Sequence, residues 1–275
     1  MAGMLYLVPT PIGNLGDISQ RCRETLEQAD FIAAEDTRVS LKLLNHLGIR
    51  KSLVSYYEHN KAFKGEKIVE RILAGETCAL VSDAGSPAIS DPGEDLVKLC
   101  HEAGIAVCAI PGPCAAITAL SISGQATGRF CFEGFLSTAK KSRREHLESL
   151  QKEQRTMIFY EAPHKLLTTL QDMAAVFGED RPISLCRELT KLHEEVVRTT
   201  LGGAVEKYTE TAPKGEFVLI VAGAPEEAKE TATEEDAAAR VRQLMDEGLS
   251  RKDAIKQTAK ELNLPKNVVY DAALK

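Results

Sequence analysis

Residues 78–110 read CALVSDAGSPAISDPGEDLVKLCHEAGIAVCAI and contain one complete strand–helix–strand unit. The apolar runs CALVS (78–82) and IAVCAI (105–110) are typical of strands that are buried on both faces. The stretch 93–103 between them is amphipathic and stops at Gly104, a residue type that commonly ends helices. Strands joined by a helical crossover lie parallel in one sheet. The sequence therefore predicts an α/β fold built on a parallel sheet.

The same alternation extends over residues 1–123. Further strands are predicted at MLYLV (4–8), DFIAAE (30–35) and SLVSY (52–56), with helices near 19–29, 38–47 and 61–74. We therefore assign 1–123 to an N-terminal α/β domain with a five-stranded parallel sheet. In 124–224, two strand patterns near 182–201 have no helix between them and must pair antiparallel, which predicts a C-terminal domain with a mixed sheet. The acidic stretch that follows and three short helical patterns predict a linker and a helical appendage over 225–275.

Composition and motifs exclude several classes of protein. The formal net charge of −6 disfavours a chain that coats nucleic acid nonspecifically, so a nucleic-acid role needs a local basic patch. Seven cysteines without a CxxC spacing predict reduced thiols and a cytoplasmic location. The uncharged stretch 103–128 is broken by Pro111, Gly112 and Pro113, which argues against a membrane span. The sequence has no P-loop or GxGxxG motif, which argues against those nucleotide sites, and no GxSxG motif, which argues against a serine hydrolase. It also has no HExxH motif and no His/Cys cluster, so we expect no metal site.

Three unusual loops follow predicted strands of the first domain. They read VPTPIGNLGD (8–17), SDAGSPAISDPG (82–93) and PGPCAA (111–116). Proline stiffens these loops and glycine permits close backbone approach, and ligands bind at the carboxyl edge of such sheets. No Lys or Arg lies in the loops, whereas a phosphate site would carry cations. The loops favour a ligand with an adenine, a sugar and a positive charge, such as S-adenosylmethionine.

Several long motifs resemble one protein family. They are VPTPIGNLGDIS, AAEDTRVSLKLLNHLGI, VSDAGSPAISDPG, IPGPCAAITALSISG, FYEAPHK and CRELTKLHEE. In this order they resemble the tetrapyrrole-methylase superfamily, the class III S-adenosylmethionine-dependent methyltransferases. More narrowly, they resemble its ribosomal RNA branch, which 2′-O-methylates a cytidine in the decoding region of small-subunit (16S) rRNA. The resemblance implies two α/β domains with S-adenosylmethionine in the cleft between them, and a homodimer.

The resemblance also implies which residues contact the cofactor. Matched motif by motif, they are Pro11, Gly13, Asp83, Ala84, Gly85, Ala88, Cys114, Ala115, Glu161 and Leu189. Most of these contacts would come from the backbone. Cys114 stands where relatives often carry Thr or Ser, so one hydroxyl contact has no counterpart in this chain.

Two short segments supply candidate catalytic residues. Asp36 follows the second strand and would accept the hydroxyl proton, with Arg38 holding a phosphate. The alternative is that Asp36 caps the next helix and pairs with Arg38. Glu188 would likewise act as a base and Lys191 as a cation beside the reacting oxygen, unless the two form an ordinary ion pair.

Contacts to RNA are predicted in two further places. The densest basic run contains Lys140, Lys141, Arg143 and Arg144, which would contact phosphates unless the run is only a solvated helix face. Tyr56, Tyr57, His59 and Asn60 follow the third strand and would hold an extruded cytosine unless they form a plain turn. The expected partner is small-subunit rRNA or an assembled small ribosomal subunit.

Two other functions are compatible with the sequence. A methyltransferase acting on a tetrapyrrole or corrinoid is one alternative, and a noncatalytic ribosome-binding factor is another. The helical appendage resembles a helix-turn-helix and is either a packed cap or a nucleic-acid contact.

Overall fold

The computed structural model describes residues 3–57, 61–225 and 233–274. The chain divides into two compact units, Met1–Ala224 and Pro225–Lys275. The first unit contains two sheets, and the second is helical.

The first sheet is parallel and five-stranded, as the sequence predicts. Its strands are β1 (Met4–Leu7), β2 (Phe31–Ala34), β3 (Ser52–Ser55), β4 (Cys78–Val81) and β5 (Ala106–Ala109). The helices that follow these strands are α1 (Gln20–Gln28), α2 (Thr37–Leu47), α3 (Lys61–Leu73), α4 (Glu94–Glu102) and α5 (Ala115–Ser123). The strand order β3-β2-β4-β1-β5 places the loops after β1, β2, β4 and β5 at one edge.

Strand alternation builds a core on each face of this sheet. Phe31 and Leu80 face α3 and α4, whereas Ile32 and Ala79 face α1 and α2. Every residue of β2 and β4 is buried. Because both faces are covered by helices, these strands are apolar runs rather than alternating ones.

The second sheet is mixed, as predicted. Its strands are β6 (Phe130–Phe135), β7 (Thr156–Glu161), β8 (Pro182–Arg187), β9 (Glu195–Thr200) and β10 (Phe217–Val221), in the order β6-β7-β10-β8-β9. Among the described strands of this sheet, only the β6–β7 pair is parallel, and the predicted antiparallel pair is β8–β9. The helices α6 (Lys140–Ser149), α7 (Pro163–Phe177) and α8 (Leu201–Glu210) cover one face.

Helix α5 packs on the other face of the second sheet. Ala116, Ala119 and Leu120 of α5 share a buried cluster with Ile158 and Ile220. This helix belongs to the predicted domain 1–123, but its apolar side chains are buried by the second sheet. The helix follows the first sheet along the chain but packs against the second, so it joins the two sheets.

The helical unit has a core of its own. It contains α9 (Glu234–Asp246), α10 (Arg251–Glu261) and α11 (Lys266–Ala272). Thr233 forms a capping box with Asp236, and Ser250 caps α10. Val241, Leu244 and Val269 are almost fully buried between the helices. Over the described ranges of both units, no helix is both long and apolar enough to cross a membrane.

Candidate active site

A cavity of about 440 Å³ lies between the two sheets. The loops after β1, β4 and β5 form one wall, and the ends of β7, β8 and β10 form the other. Its lining includes Ile12, Glu35, Asp83, Ala84, Gly85, Asp91, Cys114, Ala115, Tyr160, Glu161, Leu189, Lys191 and Glu216. The loops that the sequence places at one sheet edge therefore do meet around a single space.

Hydrogen bonds hold these loops to one another. The backbone N–H of Thr10 donates to the Gly85 carbonyl (2.9 Å), and the Gly85 N–H donates to the Thr10 carbonyl (3.0 Å). The Ser86 hydroxyl donates to the Pro113 carbonyl (3.0 Å), which joins the second loop to the third. Gly85 has a φ of 85°, a conformation that favours glycine. These hydrogen bonds thus fix the positions of the three loops that form this wall.

Several residues beside the cavity have a left-handed backbone conformation. Ala88 and Ser90 have φ values of 67° and 63° in the loop after β4, and Glu188 and Thr190 have 51° and 66° after β8. Such conformations are strained in non-glycine residues, by about 1–3 kcal/mol each in sparsely populated regions, and they concentrate at functional sites. Both loops border the same space.

One side of the cavity is acidic. Glu35, Asp83 and Asp91 line it, and the Asp83 carboxylate accepts a hydrogen bond from the backbone N–H of Asp36 (3.1 Å). Burial raises the pKa of all three carboxyl groups. The pKa of Asp91 reaches about 6, because burial and the neighbouring Glu35 carboxylate both disfavour its charge. This side suits a positively charged ligand.

The opposite side holds an ion-pair network. Lys191 Nζ lies 2.9 Å from Glu188 Oε1 and 2.8 Å from Glu216 Oε2. The hydrogen bond from Lys191 lowers the pKa of Glu188. Burial disfavours the charged ammonium, but its bonds to Glu216 and Glu188 prevail and raise the pKa of Lys191. The Glu188–Lys191 pair that the sequence analysis left open is therefore formed, and Glu188 is a weak base.

Asp36 and Arg38 form the helix cap that was the alternative to catalysis. The Asp36 side chain accepts from the Arg38 N–H (2.8 Å) and lies 2.6 Å from the Arg38 guanidinium. These bonds lower the pKa of Asp36 to about 2. Neither residue lines the cavity described above. A carboxylate with so low a pKa is a poor proton acceptor at neutral pH.

The predicted cofactor residues fall into two groups. Asp83, Ala84, Gly85, Cys114, Ala115, Glu161 and Leu189 line the cavity, whereas Pro11, Gly13 and Ala88 do not. Gly13 instead approaches the second domain, since a Cβ there would lie 2.5 Å from Lys191 Cγ. The role of each residue in binding the cofactor remains a prediction.

Two polar side chains of β7 complete the second wall, the buried Glu161 and the half-buried Tyr160. Glu161 accepts hydrogen bonds from the Thr169 hydroxyl (2.5 Å) and from the Ala162 N–H (2.8 Å). The Tyr160 hydroxyl accepts from the Ala116 N–H at the start of α5 (3.1 Å), and burial raises its pKa to about 12. These bonds hold both side chains in place along the cavity.

Several residues of the lining were not predicted from the sequence, among them Glu35, Asp91 and Tyr160. Glu35 and Asp91 follow β2 and β4, so the sheet-edge argument alone was sufficient to find them. Tyr160 lies within the quoted FYEAPHK motif, but nothing in its spacing predicts that it bonds α5.

The structure exposes part of the basic run on α6 and buries one of its residues. Lys140, Lys141 and Arg144 are exposed, but Arg143 is buried and pairs with Asp172 at 2.7 Å. The prediction that Arg143 contacts RNA is therefore corrected: its guanidinium also donates to carbonyls of the preceding loop and stabilises the domain.

The predicted cytosine contacts are only partly described. Tyr57 is exposed after β3, and His59 and Asn60 lie outside the described residues. Tyr56 is fully buried, so the prediction that it contacts a cytosine is corrected. Within the described ranges, no three His, Cys, Asp or Glu side chains are arranged to hold a metal ion.

Comparison with protein families matches nearly the whole chain. Residues 4–205 match the family described as Tetrapyrrole (Corrin/Porphyrin) Methylases. Residues 231–275 match the RsmI C-terminal HTH domain.

Curated relatives are similar over their full length. The chain is 50% identical over 272 residues to "Ribosomal RNA small subunit methyltransferase I" of Synechocystis sp., covering 99% of this chain and 98% of that protein. It is 47% identical over 276 residues to the protein of the same name from Bacillus subtilis, with 98% and 94% covered.

Solved structures share the fold at low sequence identity. The methyltransferase CobJ matches with a TM-score of 0.61 and 17% identity over 81% of this chain and 95% of its own. Diphthine synthase matches with a TM-score of 0.61 and 14% identity over 80% and 90%. From its family match and its full-length relatives, the chain belongs to the tetrapyrrole (corrin/porphyrin) methylases, in the branch of the proteins named ribosomal RNA small subunit methyltransferase I.

Proposed function

We propose that this chain is an S-adenosylmethionine-dependent methyltransferase that 2′-O-methylates a cytidine in the decoding region of small-subunit (16S) rRNA. The observation that carries the proposal is the full-length similarity to ribosomal RNA small subunit methyltransferase I, at 50% identity. The cytidine, its 2′-hydroxyl and the decoding region come from the resemblance of the sequence motifs.

The cavity fits S-adenosylmethionine in size and charge. Its volume of about 440 Å³ lies within the usual range for small-molecule sites. Among the described lining residues, Lys191 is the one lysine or arginine, and two carboxylates neutralise it. Glu35, Asp83 and Asp91 leave the opposite side negative, which suits a ligand that carries a sulfonium and an ammonium group.

A buried hydroxyl and the loop backbone add contacts for such a ligand. Thr190 Oγ1 is buried and has no hydrogen-bond partner among the described residues. Thr190 borders a recess that continues from Ile12 and Cys114. Backbone groups at Asp83–Gly85 and at Cys114–Ala115 would hold the adenosine part. When bound, S-adenosylmethionine supplies a methyl group on a cationic sulfur.

The chain must also accept the proton of the ribose hydroxyl. Asp91 suits this role because it lines the cavity and its pKa of about 6 keeps it ionised yet basic at neutral pH. Glu188 and Asp36 are weaker bases, since their partners lower the pKa of each. We therefore prefer Asp91, with Glu35 beside it, as the proton acceptor.

The RNA would be held by cations outside the acidic cavity. Lys140, Lys141 and Arg144 on α6 form the exposed part of the basic run. Tyr57 is an exposed aromatic side chain that would stack on a base. The partner is small-subunit rRNA or the assembled subunit, and we expect the enzyme to act as a homodimer.

Labelled S-adenosylmethionine and undermethylated small-subunit particles test the function. We expect label in the RNA, in a nucleotide linkage that resists alkaline hydrolysis because its 2′-oxygen is methylated. Label in a tetrapyrrole but not in RNA would overturn the proposal in favour of the alternative substrate. Absence of cofactor binding would instead favour a noncatalytic ribosome-binding factor.

A further inference from the structure

The helical unit carries a basic groove on its surface. The groove has a volume of about 570 Å³ and is lined by Arg251, Lys252, Lys256, Lys266 and Tyr270, with Asp253 and Ile255. Lys252 and Lys256 lie one turn apart on α10, so their side chains share a face. Lys266 and Tyr270 have the same spacing on α11. Four cations from two helices thus border one groove.

The lysines of this groove are exposed. Over the described ranges, no carboxylate forms an ion pair with Lys252, Lys256 or Lys266, in contrast to Arg240, which pairs with Glu261 at 2.7 Å. The carboxylate at the groove, Asp253, accepts a hydrogen bond from the hydroxyl of Ser250 at 2.5 Å, and Ser250 is the N-cap of α10. Net positive charge therefore remains at the groove.

Other contacts keep the groove in shape. The Arg251 guanidinium donates to the Ala273 carbonyl (2.8 Å), which fastens the end of α11 to α10. On the inner side of the same helices, Ala254 and Val269 are fully buried in the core of the unit. The cations are thus displayed by helices whose packing fixes their spacing.

Charge is distributed unevenly along this part of the sequence. Residues 226–247 contain 3 basic and 8 acidic side chains, and residues 248–275 contain 6 basic and 3 acidic ones. The whole chain has a net charge of −6, and its cavity is acidic. A polyanionic substrate therefore needs attraction from a local basic surface.

We propose that the groove of Lys252, Lys256, Lys266 and Tyr270 binds the phosphate backbone of the substrate RNA and anchors it to the enzyme. Lysine ammonium groups contact phosphates without reading bases. Tyr270 is 51% exposed between the cations and offers a ring on which an unpaired base stacks. This inference rests on the proposed function, because it takes RNA as the substrate.

Charge reversals in the full-length chain test whether this groove is an RNA anchor. The test variants are Lys252→Glu, Lys256→Glu and Lys266→Glu, singly and together. The matched control is Arg242→Glu, an exposed cation of α9 in the same unit that does not line the groove. RNA affinity is measured from 50 to 300 mM salt, together with cofactor affinity and the kinetics of methyl transfer. Circular dichroism checks that each variant keeps its helices.

Each reversal is expected to reduce the slope of log affinity against log salt by about 0.7 to 0.9, and the triple variant by about two to three. In the triple variant, KM for RNA rises at least tenfold, while kcat and cofactor affinity are those of the control. Tyr270→Ala weakens RNA binding without changing the slope, because stacking involves no counterion release. A triple variant with the slope and KM of Arg242→Glu would overturn the anchor.

The outcomes separate the anchor from the proposed function. Wild-type protein that binds RNA through these lysines but methylates none overturns the proposed function alone. Wild-type protein that methylates RNA, with a triple variant equal to the control, overturns the anchor alone. Lysine-dependent binding to phosphatidylserine vesicles with no lysine-dependent binding to RNA would assign the groove to a membrane surface and also overturn it.

Discussion

The backbone of Gly13 lies against the side chain of Lys191, so closely that a Cβ at Gly13 would lie 2.5 Å from Lys191 Cγ. The contact joins the loop after β1 to the loop after β8. Lys191 in turn binds Glu188 and Glu216 and lines the cavity. The loop that the sequence marks as unusual therefore contacts a lysine of the other domain.

Gly13→Ala is expected to reduce activity strongly while the chain remains folded. The added methyl group must displace Lys191 and the Thr190 hydroxyl, and small displacements in an active site reduce rates by about 10- to 100-fold. Gly128→Ala is the matched control, since no atom lies within 4 Å of the added Cβ. Methyl-transfer rates and thermal unfolding are measured for both. Equal rates in the two variants would show that the contact is unimportant.

Lys191→Met is expected to destabilise the chain by about 1 kcal/mol at pH 7, because two carboxylates lose their cation. The pKa of Glu188 is lowered in the folded state, so its stabilisation is present above its ordinary pKa of 4.5 and is lost as the pH falls through the folded value. The difference from wild type should therefore shrink at pH 3. Urea unfolding at both pH values measures it, with Lys141→Met as the exposed control. A pH-independent difference would contradict this account.

Asp91→Asn is expected to reduce kcat by about 10²–10⁴-fold, the usual contribution of a positioned base. In the wild type, kcat should rise with pH through about 6 as Asp91 loses its proton, and the variant should lose this dependence. The exposed Glu210→Gln serves as control. A variant with the wild-type pH profile would remove Asp91 from the role of proton acceptor.

The same substitution should stabilise the folded chain at pH 7. Burial raises the pKa of Asp91 from 3.8 to about 6, so wild-type stability falls as the pH rises across this interval. The asparagine variant lacks this loss. Thermal unfolding at pH 4 and pH 7 tests it: the advantage of the variant should be larger at pH 7. Equal advantages at both values would contradict the assigned burial.

The order of apolar runs and helical patterns was sufficient to predict both sheets. Burial on both faces makes β2 and β4 continuously apolar, and two strand patterns with no helix between them gave the antiparallel pair β8–β9. The same reasoning could not place α5. Its sequence follows β5, but its small side chains face the second sheet. Small apolar residues pack equally well on either sheet, so their identity does not indicate which sheet buries them. Which sheet buries a helix is decided by long-range packing.

Side-chain contacts of the site were predictable only where they are local. Asp36 and Arg38 are two residues apart, so the cap was foreseeable. The Tyr160 bond to Ala116 spans 44 residues, and the Lys191 bond to Glu216 spans 25. Such pairs depend on how two sheets face each other, which sequence spacing does not encode.

Arg143 and Arg144 are adjacent in the sequence and should respond oppositely to substitution. Arg143→Ala leaves the Asp172 carboxylate without its partner in a largely buried setting and is expected to destabilise the chain by about 3 kcal/mol. Arg144→Ala removes only an exposed i,i+4 pair with Glu148, worth less than about 1 kcal/mol.

If α6 contacts phosphates, Arg144→Ala weakens RNA binding and lowers its salt dependence, whereas the folded fraction of Arg143→Ala binds RNA as wild type does. Urea unfolding and RNA titrations over a range of salt concentrations measure both effects. Loss of RNA affinity in fully folded Arg143→Ala protein would return this arginine to the RNA surface and contradict its assignment to the domain core.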